Sequence, residues 1–172
     1  MRAAAITICA MTRWFLINKT PSVTAFGGDS SPKGGAKIKK KEKNIMTRME
    51  KCKALRAETA IHYNCCQAVL VPFAAEMGVT EEQAYKMGAH FGSGMRHGST
   101  CGAITGALMV LGMLGYDEQT ATALLRKVRQ ERGALDCATL LRTSAEAGVP
   151  RKAHCDGIVF EMLQVVEDIV NA

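Results

Sequence analysis

Asn64-Cys65-Cys66-Gln67-Ala68-Val69-Leu70-Val71-Pro72-Phe73-Ala74-Ala75-Glu76-Met77 is the stretch that decides the fold. Asparagine is a preferred helix N-cap, because its side-chain oxygen accepts from the free amides of the first turn. Gln67, three residues on, completes a capping-box pattern. Behind it, Cys66, Val69, Leu70, Phe73 and Met77 recur at helical spacing and place one apolar stripe on one face. Pro72 removes a backbone donor inside this run and predicts a kink.

The same grammar extends in both directions. Helices are expected over 48–62, from 64 onward, and over 80–91, the last opened by Thr80 with Gln83 in a second capping box. A glycine-rich loop follows over 92–99. The next helix opens at Thr100 and ends among the glycines of 112–115. Asp117 caps a helix with Ala121, Leu124, Leu125 and Val128 on one face, stopped by Gly133. A shorter helix is expected from Asp136 to Gly148, ahead of Pro150. The last is expected over 155–170, with Val159, Met162, Leu163, Val166 and Ile169 inward. No segment alternates with period two. The fold class is therefore all-α, a compact bundle of about six or seven helices. Aromatic residues make up only 5% of the chain against 48% hydrophobic, with sixteen glycines, which suits close helix contacts through small residues. Gly102, Ala103, Gly106 and Ala107 form such a face.

Cys65, Cys101, Cys137 and Cys155 each fall where a helix is expected to begin, behind Asn64, Thr100, Asp136 and His154. His154 is the weakest cap of the four. A helix N-terminus favours a nearby anion by about 0.3–1 kcal/mol. Here the anion would be thiolate, the form that binds metal and attacks disulfides. Four thiolates can hold an iron–sulfur cluster or a zinc ion. Without metal they would be redox-active thiols, with Cys65–Cys101 or Cys137–Cys155 as example pairs. Taken alone, the spacing also allows buried cysteines that merely pack. No CxxC or CxxCH is present, so thioredoxin-type, zinc-ribbon and c-type haem sites are not indicated.

The blocks Asn64 to Val69 and Cys101 to Met109, followed by Cys137 and Cys155, resemble the C_GCAxxG_C_C family of redox-active proteins. The resemblance covers about 55–169. It implies a small helical domain whose four named cysteines map to Cys65, Cys101, Cys137 and Cys155, with an iron–sulfur site as the expected cofactor. Two departures stand out. Thr100 precedes Cys101 and Gly102 follows it, so the literal Gly-Cys-Ala order is absent. Cys66 is an extra thiol beside Cys65, and vicinal cysteines can exchange ligand roles. Cys66 and His154 are therefore further metal-ligand candidates, and His97 is a weaker one.

Residues 1–45 hold nine Lys or Arg against two Asp or Glu, and residues 46–172 hold thirteen against fourteen. The basic excess thus belongs to the first segment. The rest gives no case for nucleic acid or an anionic membrane. The first segment reads as a disordered or translated leader, with Met46 as the expected natural start of a bacterial, cytoplasmic protein, and 46–172 as the domain. Cys52 reads as packing, and Cys9 lies in the leader. Arg126, Lys127, Arg129 and Arg132 read as a solvated face that could meet an acidic redox partner. The small-residue faces leave homodimerisation open. No HExxH, Walker loop or Ser–His–Asp ordering appears, so hydrolase and phosphotransferase chemistry has no support.

Overall fold

A computed structural model describes residues 46–172. The leader expected over 1–45, with Cys9, lies outside the described residues. The helices are α1 (Arg48–Ala57), α2 (Cys65–Leu70), α3 (Glu81–Met87), α4 (Gly102–Met113), α5 (Glu118–Arg132), α6 (Cys137–Glu146) and α7 (Arg151–Val170). Among the described residues there is no strand, only one isolated antiparallel bridge between Thr100 and Asp136.

The caps behave as their chemistry dictates. Asn64 Oδ1 accepts from the amides of Cys66 (2.9 Å) and Gln67 (3.0 Å), and Gln67 Oε1 accepts from the Asn64 amide at 2.9 Å. Thr80 and Gln83 close a second capping box, and Asp117 and Asp136 each accept from the amide three residues on. α2 passes at Pro72 into a 3₁₀ turn, Val71–Phe73, where the missing proline donor does least harm.

Several boundaries differ from expectation. α1 stops at Ala57, because the Glu58 carboxylate accepts from the amides of Thr59 and Ala60 (2.8 Å each) and offers the backbone a local alternative to another helical turn. α3 gives way to turns after Met87. α7 starts at Arg151, four residues before the expected Cys155, with Pro150 as its N-cap at φ −59°. Proline presets the angle a helix entry needs and lacks only a donor that would be unused there, so Pro150 starts α7.

The core gathers the stripe of α2, the inner face of α4 and the inner face of α7. Val69, Leu70, Phe73, Ile104, Val110, Val159, Met162 and Leu163 are all buried. α2 and α4 are the most intimately packed pair. A Cβ on Gly102 would fall 2.7 Å from the Phe91 carbonyl oxygen, and one on Gly106 would fall 3.0 Å from the Cys66 carbonyl oxygen. The small-residue face is thus used inside the chain, against α2. Burial of each large aliphatic or aromatic side chain there contributes about 1.5–3 kcal/mol. That packing fixes where the helix starts, and with them the cysteines, must sit.

Candidate cysteine redox site

Two of the four cysteines are placed by backbone. Thr100 and Asp136 pair, the Cys101 amide donates to the Leu135 carbonyl at 2.9 Å, and the Cys137 amide donates to the Ser99 carbonyl at 2.8 Å. Cys101 itself is the N-cap of α4, rather than a first-turn residue behind Thr100. The bridge occupies Thr100, which shifts the cap by one position. Cys137 is the first residue of α6, behind its cap Asp136. Both cysteines are buried.

The other two are placed by helix faces. Cys65 is the first residue of α2, and Cys155 lies one turn inside α7, not at its N-terminus as the sequence suggested. α2 and α7 pack together, and they bring Cys65 and Cys155 close enough for each to shift the other's thiol. The strongest mutual influence joins Cys65 and Cys155, rather than Cys65–Cys101 or Cys137–Cys155, the example pairs above. Cys65 and Cys155 are partly exposed and form one wall of a cleft of about 540 Å³ that also reaches Cys137.

The electrostatics separate the two pairs. Interaction with the Cys155 thiol, reinforced by burial, pushes the Cys65 thiol far up. The same interaction favours the Cys155 thiolate and pulls that group below its ordinary range, against burial and with help from Arg151 and Arg56. Burial raises Cys101, although the amides of Ala103 and Ile104 pull the other way. Burial also raises Cys137, with the charge of Cys155 adding to it. Cys101 senses Cys137 and Cys155, and Cys65 senses Cys101. Four cysteines far apart in sequence therefore share one electrostatic neighbourhood.

The remaining candidates are sorted by burial. Cys66 points into the core, its Sγ 3.8 Å from Met109 Sδ, and burial pushes its thiol up to about 12. Consecutive residues on a helix face about 100° apart, so Cys65 on the cleft sends Cys66 inward. The same rotation removes His154 from Cys155. His154 lines a separate hollow with Glu131, Arg132, Leu140 and Gly157, between α5, α6 and α7. His97 is exposed, with Nδ1 2.8 Å from the Met95 carbonyl oxygen. Cys52 is fully buried and packs, as expected. Lys127 and Arg132 pair with Glu131 and Glu161 on an outer face.

Sequence reasoning missed the cations of the cleft. Arg56 donates to Asp156 Oδ1 and to the Tyr63 carbonyl, both at 2.7 Å, and Lys152 reaches Asp156 Oδ2 at 2.6 Å. Only Asp156, next to Cys155, carried any hint of this. The glycine-rich loop expected over 92–99 closes over Cys137. Ser93, Met95 and Arg96 adopt left-handed backbone angles, with φ from 53° to 64°. Gly94 comes so close to Cys137 that a Cβ there would fall 2.8 Å from the Cys137 Cβ.

The donor set is all thiol. A single zinc ion requires sulfurs about 4 Å apart, given bonds of about 2.3 Å in a tetrahedron. Among the described residues no group of three or more His, Cys, Asp or Glu is placed to hold one metal ion. An iron–sulfur cluster takes its thiolates on different irons and so accepts them farther apart. No helix among the described residues is long and apolar enough to cross a membrane.

A model of the family described as "Putative redox-active protein (C_GCAxxG_C_C)" matches residues 63–169. No curated protein matches, and no solved structure does.

Proposed function

The chain belongs to the C_GCAxxG_C_C family, and we propose that Cys65, Cys101, Cys137 and Cys155 together form its redox centre, as the ligands of an iron–sulfur cluster used for electron transfer or redox sensing. One observation carries this reading: four cysteines from four helices lie within reach of one another's charge. When bound, a cluster supplies one-electron chemistry. The protein's part is to hold four thiolates and to offset their negative charge. The amides of Ala103 and Ile104, in the first turn of α4, favour the thiolate at Cys101, and Arg151 and Arg56 favour it at Cys155.

The test is the visible absorption of protein purified without oxygen, with iron and acid-labile sulfide assayed on the same sample. A brown protein with matching iron and sulfide is expected, and each Cys→Ser change at the four positions should lower both sharply. Unchanged iron and sulfide in all four variants would rule this site out.

A second reading is favoured by one pairing. Cys65 and Cys155, which line one cleft and shift each other's thiols, suit a metal-free dithiol that cycles to a disulfide. It predicts the loss of two free thiols on mild oxidation, at these two residues. An unchanged thiol count after oxidation would remove it.

A further inference from the structure

The cleft over the Cys65–Cys155 pair has the size of a small-molecule site, about 540 Å³ against the usual few hundred to a thousand. Its thiol wall faces Arg56, Arg151 and Lys152, with Leu55 and Tyr63 as apolar sides. Three cations stand there against two carboxylates. Asp156 is held by Arg56 and Lys152. Glu58, on the rim, is engaged by backbone amides. Arg151 has no carboxylate partner among the described residues, and it is exposed. The uncompensated positive charge therefore sits beside the partly exposed sulfur of Cys155.

We propose that this cleft admits a small anionic disulfide and that Cys155 and Cys65 exchange with it, an inference that rests on the dithiol reading above. The Cys155 thiolate attacks one sulfur of the substrate. The Cys155–substrate disulfide forms, the substrate S–S bond breaks, and one thiolate leaves. Cys65 then gives up its proton to that thiolate and attacks the Cys155 sulfur, releasing the second substrate half as thiolate, which takes a proton from water. The protein loses two electrons as a Cys65–Cys155 disulfide, and the substrate gains them as two thiols. Arg151 steers the substrate anion in, because a cleft with a net positive charge raises the local concentration of anions.

The experiment compares three short symmetrical disulfides on the reduced full chain after chelation: dithiodiglycolate (anionic), hydroxyethyl disulfide (neutral) and cystamine (cationic). Each rate of thiol loss is divided by the rate of the same reagent with free mercaptoethanol, which removes differences in intrinsic reactivity. Dithiodiglycolate is expected to lead hydroxyethyl disulfide by about tenfold at low salt, with cystamine slowest. Arg151→Glu should cancel or invert that order. The residue is exposed and a carboxylate suits the first turn of α7, so folding is retained. In Cys65→Ser the reaction should stall as a mixed disulfide on Cys155, read by mass after digestion. Equal normalised rates for the three reagents would overturn the proposal and leave the dithiol reading standing. A mixed disulfide trapped on another cysteine would overturn it too. No thiol loss with any reagent would remove the dithiol reading itself.

Discussion

The two halves of the cysteine site are built by different means. Cys101 and Cys137 are tied by main-chain hydrogen bonds across the Thr100–Asp136 bridge, are buried, and keep raised thiols. Cys65 and Cys155 are brought together by the packing of α2 on α7, face a cleft, and are shifted in opposite directions by each other, with cations helping at Cys155. Backbone anchoring gives fixed position, and side-chain anchoring at a solvent edge gives reactivity. A redox centre needs both, because geometry must survive a change of charge while one part stays reachable.

The sharpest way to break this comparison is chemical. In reduced, metal-free protein, alkylation at neutral pH should modify Cys155 faster than Cys101 or Cys137 by on the order of a hundredfold, since reaction needs exposed thiolate. Peptide mapping against time checks it, and comparable rates at the three sites would erase the distinction between the halves.

Gly94→Ala tests the buried half. Its φ of +60° and a Cβ only 2.3 Å from the Ser99 carbonyl oxygen force a shift in the segment that accepts from the Cys137 amide. A loss of about 2–4 kcal/mol in chemical unfolding is expected. Stability within experimental error of wild type would show that the loop does not hold Cys137.

Arg56→Gln tests the cleft half. The Arg56 and Asp156 side chains are only 10% and 18% exposed, so the ion pair is not a surface one, yet Lys152 remains as a second partner. A loss of about 2 kcal/mol is expected near neutral pH. Burial pushes the Asp156 carboxyl up, but Lys152 and Arg56 outweigh it and hold it below the ordinary range. A depressed carboxyl contributes stability above its unfolded value near about 4 and loses it as pH falls through the lower folded value. The gap between wild type and variant should therefore close in acid. A pH series of unfolding midpoints reads this, and a constant gap would mean that Arg56 acts through packing alone.

Asn64→Ala should cost about 1–2 kcal/mol, because it removes the cap of the helix that starts at Cys65. It also removes donations from Asn64 Nδ2 to the Gly88 and Ala89 carbonyls at 3.0 and 3.2 Å. The smallest effect is expected from Lys127→Ala. Its pairing with Glu131 is an exposed helix-surface contact, and the thermal midpoint should not move measurably.

Much of the architecture was legible because caps and apolar stripes are local. Asn64 with Gln67, Thr80 with Gln83, Asp117 and Asp136 each announce a helix through bonds that span three residues. Val159, Met162, Leu163 and Val166 show their buried face by spacing alone. Cys155 sits one turn inside α7 rather than at its start, because Pro150 caps the helix four residues earlier than His154 would. Cys66 and His154 could not be sorted by sequence, since each is adjacent to a candidate ligand and only the rotation of its helix decides where it points. Arg56 was invisible as a cleft residue. Its partner, Asp156, is 100 residues away.

By itself, then, the sequence determined the helices, their buried faces, and four cysteines at or near helix starts, because hydrogen-bond caps and helical periodicity act over a few residues. Only the tertiary structure decided which cysteines influence each other most and which line the cleft beside Arg151. Those depend on how α2, α4 and α7 turn to bury their stripes, and on one two-residue bridge between segments 36 positions apart. Packing of that kind is a property of the whole core, and no local pattern records it.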